Sequence, residues 1–188
     1  MTESVRERLI DSAIELMQRQ GVAGTSVADL LSRSGVARRS IYLHFPGGMG
    51  ELITTSVDDA GARISTMIEA LAPDGTPSEA LGSFIAFWEM LLRTSDFTAG
   101  CPIAAAAYGG QELPAARDSA GRIFEHWQQL LTPVLVSHGA ERSDAEAMAT
   151  TIIAAIEGAV MLCLAARSTT PLERVHSQLE VLLRTTTG

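Results

Sequence analysis

Hydrophobic residues recur along this chain at intervals of three and four, and no stretch reads as a convincing strand. Between Glu3 and Gln20, one stripe holds Val5, Leu9, Ile10, Ala13, Ile14 and Met17. Arg6, Glu7, Asp11, Glu15 and Arg19 occupy the other face, and Gly21 follows as a left-handed stop. A first helix is therefore expected over about 3–20. Thr25 or Ser26 caps the next helix, with Asp29 three residues after Ser26 in a capping-box-like spacing. Val27, Leu30 and Leu31 face inward, and the helix ends near Arg33-Ser34, with Gly35 in the turn. Val36 packs beneath that turn. A third helix runs from Ala37 to Phe45, where Pro46-Gly47-Gly48 breaks it. Two short helices joined by a glycine-bearing turn make a helix-turn-helix, and the first helix supplies the third wall of its core.

The rest of the chain repeats the helical pattern. A long helix is expected from Met49 to Ala72, then a turn at Asp74-Gly75. Thr76-Pro77-Ser78-Glu79 opens a helix with a cap, a proline at its first position and a glutamate at its third. It continues to about Arg93. A short Ala-rich helix follows Cys101-Pro102 and ends at Gly109-Gly110, and a long one runs from Leu113 to His138. Ser143 with Glu146 suggests another capping box, opening a helix that reaches Arg167. Thr170-Pro171-Leu172-Glu173 starts the last helix, expected to end near Leu183 before a frayed Thr-Thr-Thr-Gly tail. The expectation is an all-α protein of about nine helices. Its helix-turn-helix domain covers 1–47, and a second helical domain covers 48–188.

Composition agrees: 46% of the 188 residues are hydrophobic and only 5% aromatic, which favours helices over sheet. The formal net charge of −8 argues at first against a nucleic-acid partner. Its distribution reverses that. Residues 1–46 carry six Arg against five acids, and the remainder eight Arg against 17 acids. Only the first segment is suited to lie against phosphate. There is no Lys, so every basic contact is a planar guanidinium.

Two cysteines, Cys101 and Cys163, form neither a disulfide framework nor a metal-ligand spacing, so a cytoplasmic location is expected. Cys101 beside Pro102 at a helix start could sense redox state, but a small buried thiol is the stronger reading. The apolar run Thr151–Ala166 is short for a bilayer and holds Glu157, so it is expected to be a buried helix and no membrane partner is implied. Glu157 is either an inter-helix polar contact or an exposed position.

No Gly-rich phosphate loop or G-x-S-x-G nucleophile motif is present, and the four histidines (44, 126, 138, 176) are scattered. No enzyme, cofactor or metal site is expected.

The segment GVAGTSVADLLSRSGVARRSIYLHFPGGMGEL, following the first helix, resembles the TetR family of bacterial transcriptional regulators. The Phe-Pro-Gly-Gly junction and Gly100-Cys101-Pro102-Ile103 look like its lincomycin-resistance repressor-like subgroup. Where that subgroup usually has a lysine after Pro-Gly-Gly, this chain has Met49. The resemblance implies a repressor that binds a pseudo-palindromic operator on double-stranded DNA as a homodimer. A small lipophilic effector would release it, with the long helix at 49–72 as the lever.

Arg38 and Arg39, at the start of the third helix, suit guanine edges or phosphate, and Ser40 suits either. Ile41 and Phe45 are four apart and should be core. The resemblance makes Tyr42 and His44 phosphate contacts; His44 could instead cap its own helix end. Leu43 is open to a thymine methyl or to solvent. Thr25 and Ser26 cap the second helix, whose N-terminus also offers backbone N–H groups to phosphate.

Seven of the nine aromatic residues lie between positions 84 and 127. As a group, Phe84, Phe87, Trp88, Tyr108, Phe124 and Trp127 suggest an effector pocket, with Ile64, Met67 and Leu91 beside them. Taken singly, each reads better as core; the pocket stands only as a group, because the resemblance implies one among the fourth, fifth and seventh helices. His126 is a candidate polar anchor or an exposed residue. For the dimer interface the resemblance points to the last two helices, through Ile152, Ile156, Ala159, Val160 and Cys163, and through Val175, Leu179 and Leu182; the same apolar pair is also consistent with an intramolecular core, and the dimer is the favoured reading. The rival readings are a helical adaptor that binds protein and a regulator that acts as an activator.

Overall fold

The computed structural model describes residues 4–71, 75–109 and 113–187, and among them the chain forms nine α-helices and no strand. The helices are α1 (Val5–Gly24), α2 (Val27–Ser34), α3 (Arg38–His44), α4 (Gly48–Leu71) and α5 (Pro77–Thr94), followed by α6 (Pro102–Tyr108), α7 (Pro114–Ser137), α8 (Arg142–Ala166) and α9 (Thr170–Thr186). Ala72, Asp74 and Gly110, which entered the expected helix ends and turns, lie outside the described residues.

Contacts divide the chain into two compact units, Met1–Arg63 with Cys101–Ile123, and Ile64–Gly100 with Phe124–Gly188. This departs from the division expected at 47/48. In the first unit α6 packs along α1, so a segment distant in sequence joins the helix-turn-helix. Both α4 and α7 belong in part to each unit.

In the first unit, α1 opens with a capping box: Glu7 N–H donates to Ser4 Oγ (3.1 Å), and Ser4 N–H donates to Glu7 Oε2 (2.7 Å). Gly21 takes φ 72°, as a stop would, but a further helical turn follows it to Gly24. Thr25 secures that turn. Its N–H donates to the Val22 carbonyl (3.0 Å) and its hydroxyl to the Gly21 carbonyl (2.9 Å). Capping of α2 therefore falls to Ser26, whose Oγ accepts from Asp29 N–H (3.1 Å) while its hydroxyl donates to Asp29 Oδ2 (2.6 Å). Arg33 pairs with Glu15, tying α2 to α1, and Arg63 pairs with Asp11 (2.5 Å), tying α4 to α1. Where α4 crosses α7, a Cβ on Gly61 would stand 2.5 Å from Ile123 Cδ1, so the close approach depends on glycine.

In the second unit, Thr76 and Glu79 form the expected capping box of α5. Its buried stripe, Leu81, Ile85, Trp88 and Leu92, packs with α8 and α9. The expected Ser143–Glu146 box does not form. The helix has already begun at Arg142, so Ser143 lies inside it, and Glu146 approaches Arg142 instead (3.9 Å). In α9, Thr169 rather than Thr170 flanks the helix start. The tail is not frayed at Leu183. The backbone N–H of Thr187 donates to the Leu183 carbonyl (2.9 Å), which its hydroxyl also reaches, and the hydroxyls of Thr185 and Thr186 donate to the Leu182 carbonyl.

By length and hydropathy α8 could cross a bilayer. Its apolar character has another use here, since Met148, Ile152, Ile156, Val160 and Cys163 are buried within the chain.

Two predictions follow the caps. Ser26→Ala should lower the unfolding free energy by about 1 kcal/mol, read in a urea melt. The backbone and hydroxyl groups of Ser4 and Thr76 hold Glu7 and Glu79 below the usual glutamate range. The stability these carboxylates add is present above the ordinary glutamate value of about 4.3 and is lost as pH falls through the lower folded-state values. The thermal midpoint should therefore drop between about pH 6 and pH 3, and less steeply in a Ser4→Ala/Thr76→Ala double variant.

Candidate nucleic-acid interface

The third helix is only seven residues long and has no side-chain cap at Ala37. It is held from below. Ile41 and Phe45, one turn apart, are almost fully buried, whereas Arg38, Arg39, Tyr42, Leu43 and His44 are exposed and Ser40 is half-buried. Leu43 stands 66% exposed. Arg38 and Arg39 make no ion pair within the described chain. The helix thus offers two uncommitted guanidinium forks, a phenol, an imidazole and an apolar side chain on its outer surface.

Gly35, in the left-handed conformation with φ 65°, closes α2 through its N–H to the Leu31 carbonyl (3.0 Å) and redirects the chain into α3. Past the end of α3, Gly48 with φ 70° lies against Tyr42. The ring lies close enough to Gly48 that a Cβ there would stand 3.4 Å from Cε1. Gly47 N–H donates to Glu51 Oε2 (2.6 Å), so the amide before α4 is occupied by the chain's own carboxylate. With Met49 in the subgroup's lysine position, this junction carries no cation of its own.

Thr25 and Ser26 divide the roles expected of them together. Thr25 is buried, with its hydroxyl turned inward to Gly21, which removes its side chain from the surface. Ser26 is exposed at the start of α2. Arg6 was not singled out from sequence. Its guanidinium lies over the Phe45 ring at 5.3 Å, adding a positive group of α1 beside the end of α3. The available signal was its place on the polar face of the first helix; no local pattern links it to Phe45.

An apolar cavity lies in the second unit, lined from α4, α5, α7, α8 and α9. Its volume is about 70 Å³. Of the expected pocket residues, only Phe84 and Trp127 line it. Ile64 and Trp88 are buried in packing, and Met67, Phe87, Leu91 and Phe124 are half-buried outside the lining. Tyr108 is 81% exposed and belongs to the first unit, so it is no pocket residue. The aromatic cluster is real in part: Phe84, Phe87 and Trp88 contact one another on α5, and Phe124 meets Trp127 edge to face. What encloses the cavity is mostly aliphatic, including Leu131, Val134 and Ile153. His126 is exposed.

The expected dimer residues also need correction. Ile152, Ile156, Ala159, Val160, Cys163 and Leu179 are buried within the single chain, and Ile152 and Ile156 line the cavity. Val175 is half-buried, and Leu182 is exposed. The apolar side chains that α8 and α9 present outward are Met161, Leu162, Val181 and Leu182. The reason is that α8 is apolar nearly all round, so its inward and outward faces look alike in sequence. The Cys163 thiol is pushed up by burial, as its core position requires. Cys101 is likewise buried. No group of three or more potential metal ligands occurs among the described residues.

A helix-turn-helix with an exposed basic and polar second helix, in a chain whose other unit encloses an apolar cavity, defines a DNA-binding regulator. Residues 9–53 match the profile of the bacterial regulatory proteins of the tetR family, and residues 77–178 that of the LmrA/YxaF-like transcriptional regulator C-terminal domain. The chain belongs to the TetR family, with a C-terminal domain of the LmrA/YxaF-like kind, and it is a transcriptional regulator rather than an enzyme.

It is 35% identical over 184 residues to the uncharacterized HTH-type transcriptional regulator Rv0196 of Mycobacterium tuberculosis, covering 95% of this chain and 93% of that one. It is 27% identical to the HTH-type transcriptional regulator LmrA of Bacillus subtilis, covering 95% and 96%. Among solved structures, a TetR regulator from Legionella pneumophila superposes with a TM-score of 0.85 at 22% identity, covering 95% and 97%, which shows the shared fold.

The division of α3 into anchor and outer surface is testable by stability alone. Ile41→Ala should destabilise the protein by about 2–5 kcal/mol. Leu43→Ala, two residues away, should stay within about 0.5 kcal/mol. Urea denaturation of both variants measures the difference.

Proposed function

We propose that the protein is a cytoplasmic homodimeric repressor that reads a pseudo-palindromic operator through α3 and leaves it when a small lipophilic molecule occupies the cavity. The observation that carries this reading is the sorting of α3 itself. Ile41 and Phe45 go inward, and Arg38, Arg39, Tyr42 and His44 go outward beside Leu43. In the complex, Arg38 and Arg39 at the helix start reach base edges or phosphate, Ser40 supports them, and Tyr42 and His44 take phosphate. Leu43 faces a thymine methyl, Ser26 brings the α2 N-terminus to the backbone, and Arg6 adds a cation beside Phe45.

One copy of a seven-residue helix makes few contacts, and a two-fold dimer doubles them by placing two copies about 34–36 Å apart in successive major grooves. Met161, Leu162, Val181 and Leu182 are the exposed apolar positions of α8 and α9, and they supply the surface that such a dimer covers. The effector need only favour a conformer in which the two α3 helices are wrongly spaced, and a few kcal/mol of differential affinity is enough.

Gel retardation with the DNA flanking the protein's own gene tests the reading. A retarded band that weakens steeply between low and moderate salt is expected, and no band at low salt would overturn it. Arg38→Ala should cost about 1–3 kcal/mol at one half-site base if it reads guanine; a uniform loss over all sequences would mark a phosphate contact. Leu162→Glu should turn the dimer into monomers in sedimentation and abolish operator binding with them.

A further inference from the structure

Two glycine amides follow the end of α3, and the chain uses both itself. Gly47 N–H donates to Glu51 Oε2 (2.6 Å), and Gly48 N–H donates to the Phe45 carbonyl (2.8 Å). Gly48 lies against the ring of the exposed Tyr42, so this corner adjoins the outer surface of α3. Glu51 is itself exposed, in the first turn of α4. No Arg, Lys or His occurs from Phe45 to Ala62. The start of a long helix ordinarily attracts phosphate, because its free N–H groups and its dipole present positive charge there. Here a carboxylate of the chain has taken that place. A phosphate approaching Tyr42 meets no spare amide on Gly47 or Gly48, and it meets a like charge on Glu51. Like charges at a protein surface repel at short range, and salt screens the repulsion.

We propose that Glu51 is the chain's own stand-in for a DNA phosphate: it fills the Gly47 amide, repels the phosphate beside Tyr42 and so holds down affinity for duplex DNA of any sequence. This rests on the outer surface of α3 being the face that meets DNA. Phosphate contacts carry no sequence information, so Glu51 sets how tightly the protein binds and not which bases it prefers.

Fluorescence anisotropy of two labelled duplexes of equal length tests it, one taken from the DNA flanking the protein's own gene and one random, each titrated with full-length protein. Glu51→Gln keeps an acceptor for Gly47 N–H and removes the charge, and Glu51→Ala removes both. At about 50 mM salt Glu51→Gln should bind both duplexes at least about threefold more tightly than wild type, and Glu51→Ala no less tightly than Glu51→Gln. The gain should shrink at about 200 mM salt. Glu146→Gln, on α8, alters the net charge by the same amount and should leave both affinities unchanged. Circular dichroism checks that each variant is folded; should Glu51→Ala fail to fold, Glu51→Gln still decides.

Unchanged affinity in the Glu51 variants, a gain confined to one duplex, a gain undiminished by salt, or an equal gain from Glu146→Gln would overturn the proposal. Any of these, with wild type bound to DNA, would leave the reading of α3 standing. Binding of neither duplex by wild type or variants at low salt would remove both.

Discussion

A seven-residue helix does not persist in water by itself, because nucleation costs more than so few hydrogen bonds return. Everything this protein offers to DNA depends on two side chains that overcome that cost. Ile41 and Phe45 bury one edge of α3 against the core that α1 completes, and the guanidinium of Arg6 closes over the Phe45 ring. With that edge fixed, the 3.6-residue period turns Arg39 and Leu43 to the opposite side, while Arg38, at the helix start, and Tyr42, on its flank, are exposed as well. The outer surface of α3 is thus a consequence of its anchoring.

Charge is arranged around the same constraint. The chain is acidic as a whole, yet its first 46 residues hold a slight positive balance, and part of their arginine is spent on structure. Arg33 pairs with Glu15, and Arg6 covers Phe45, which leaves Arg38 and Arg39 without ion pairs on α3. The junction to α4 adds no positive charge, since Met49 is neutral and Glu51 occupies the Gly47 amide. A protein with so little basic surface depends on duplicating its contacts. Homodimers of the kind this family forms double such contacts.

The second unit is governed by the ambiguity of α8. A helix that is apolar nearly all round can face its own core, a cavity and a partner at once. In this chain Ala159 and Cys163 go to the core, Ile153 and Ile156 to the cavity, and Met161 and Leu162 to the outside. Hydrophobic burial is non-directional, so nothing in the residue types assigns these roles.

What could be read from the sequence was what depends on near neighbours. The helix-turn-helix, the capping box at Thr76 and Glu79, the turn at Gly35 and the inward Ile41 and Phe45 all follow from spacing of four residues or less, and each holds in the structure. The apparent box at Ser143 and Glu146 shows the limit of even that rule, because α8 had already started at Arg142. Long-range partners were not legible. Only the fold decided that α6 joins α1, that Arg6 covers Phe45, and that Tyr108 stays outside while Leu131 and Ile153 wall the cavity. Helical periodicity is written into consecutive residues, whereas the choice among equally apolar faces is made by which other helices arrive against them.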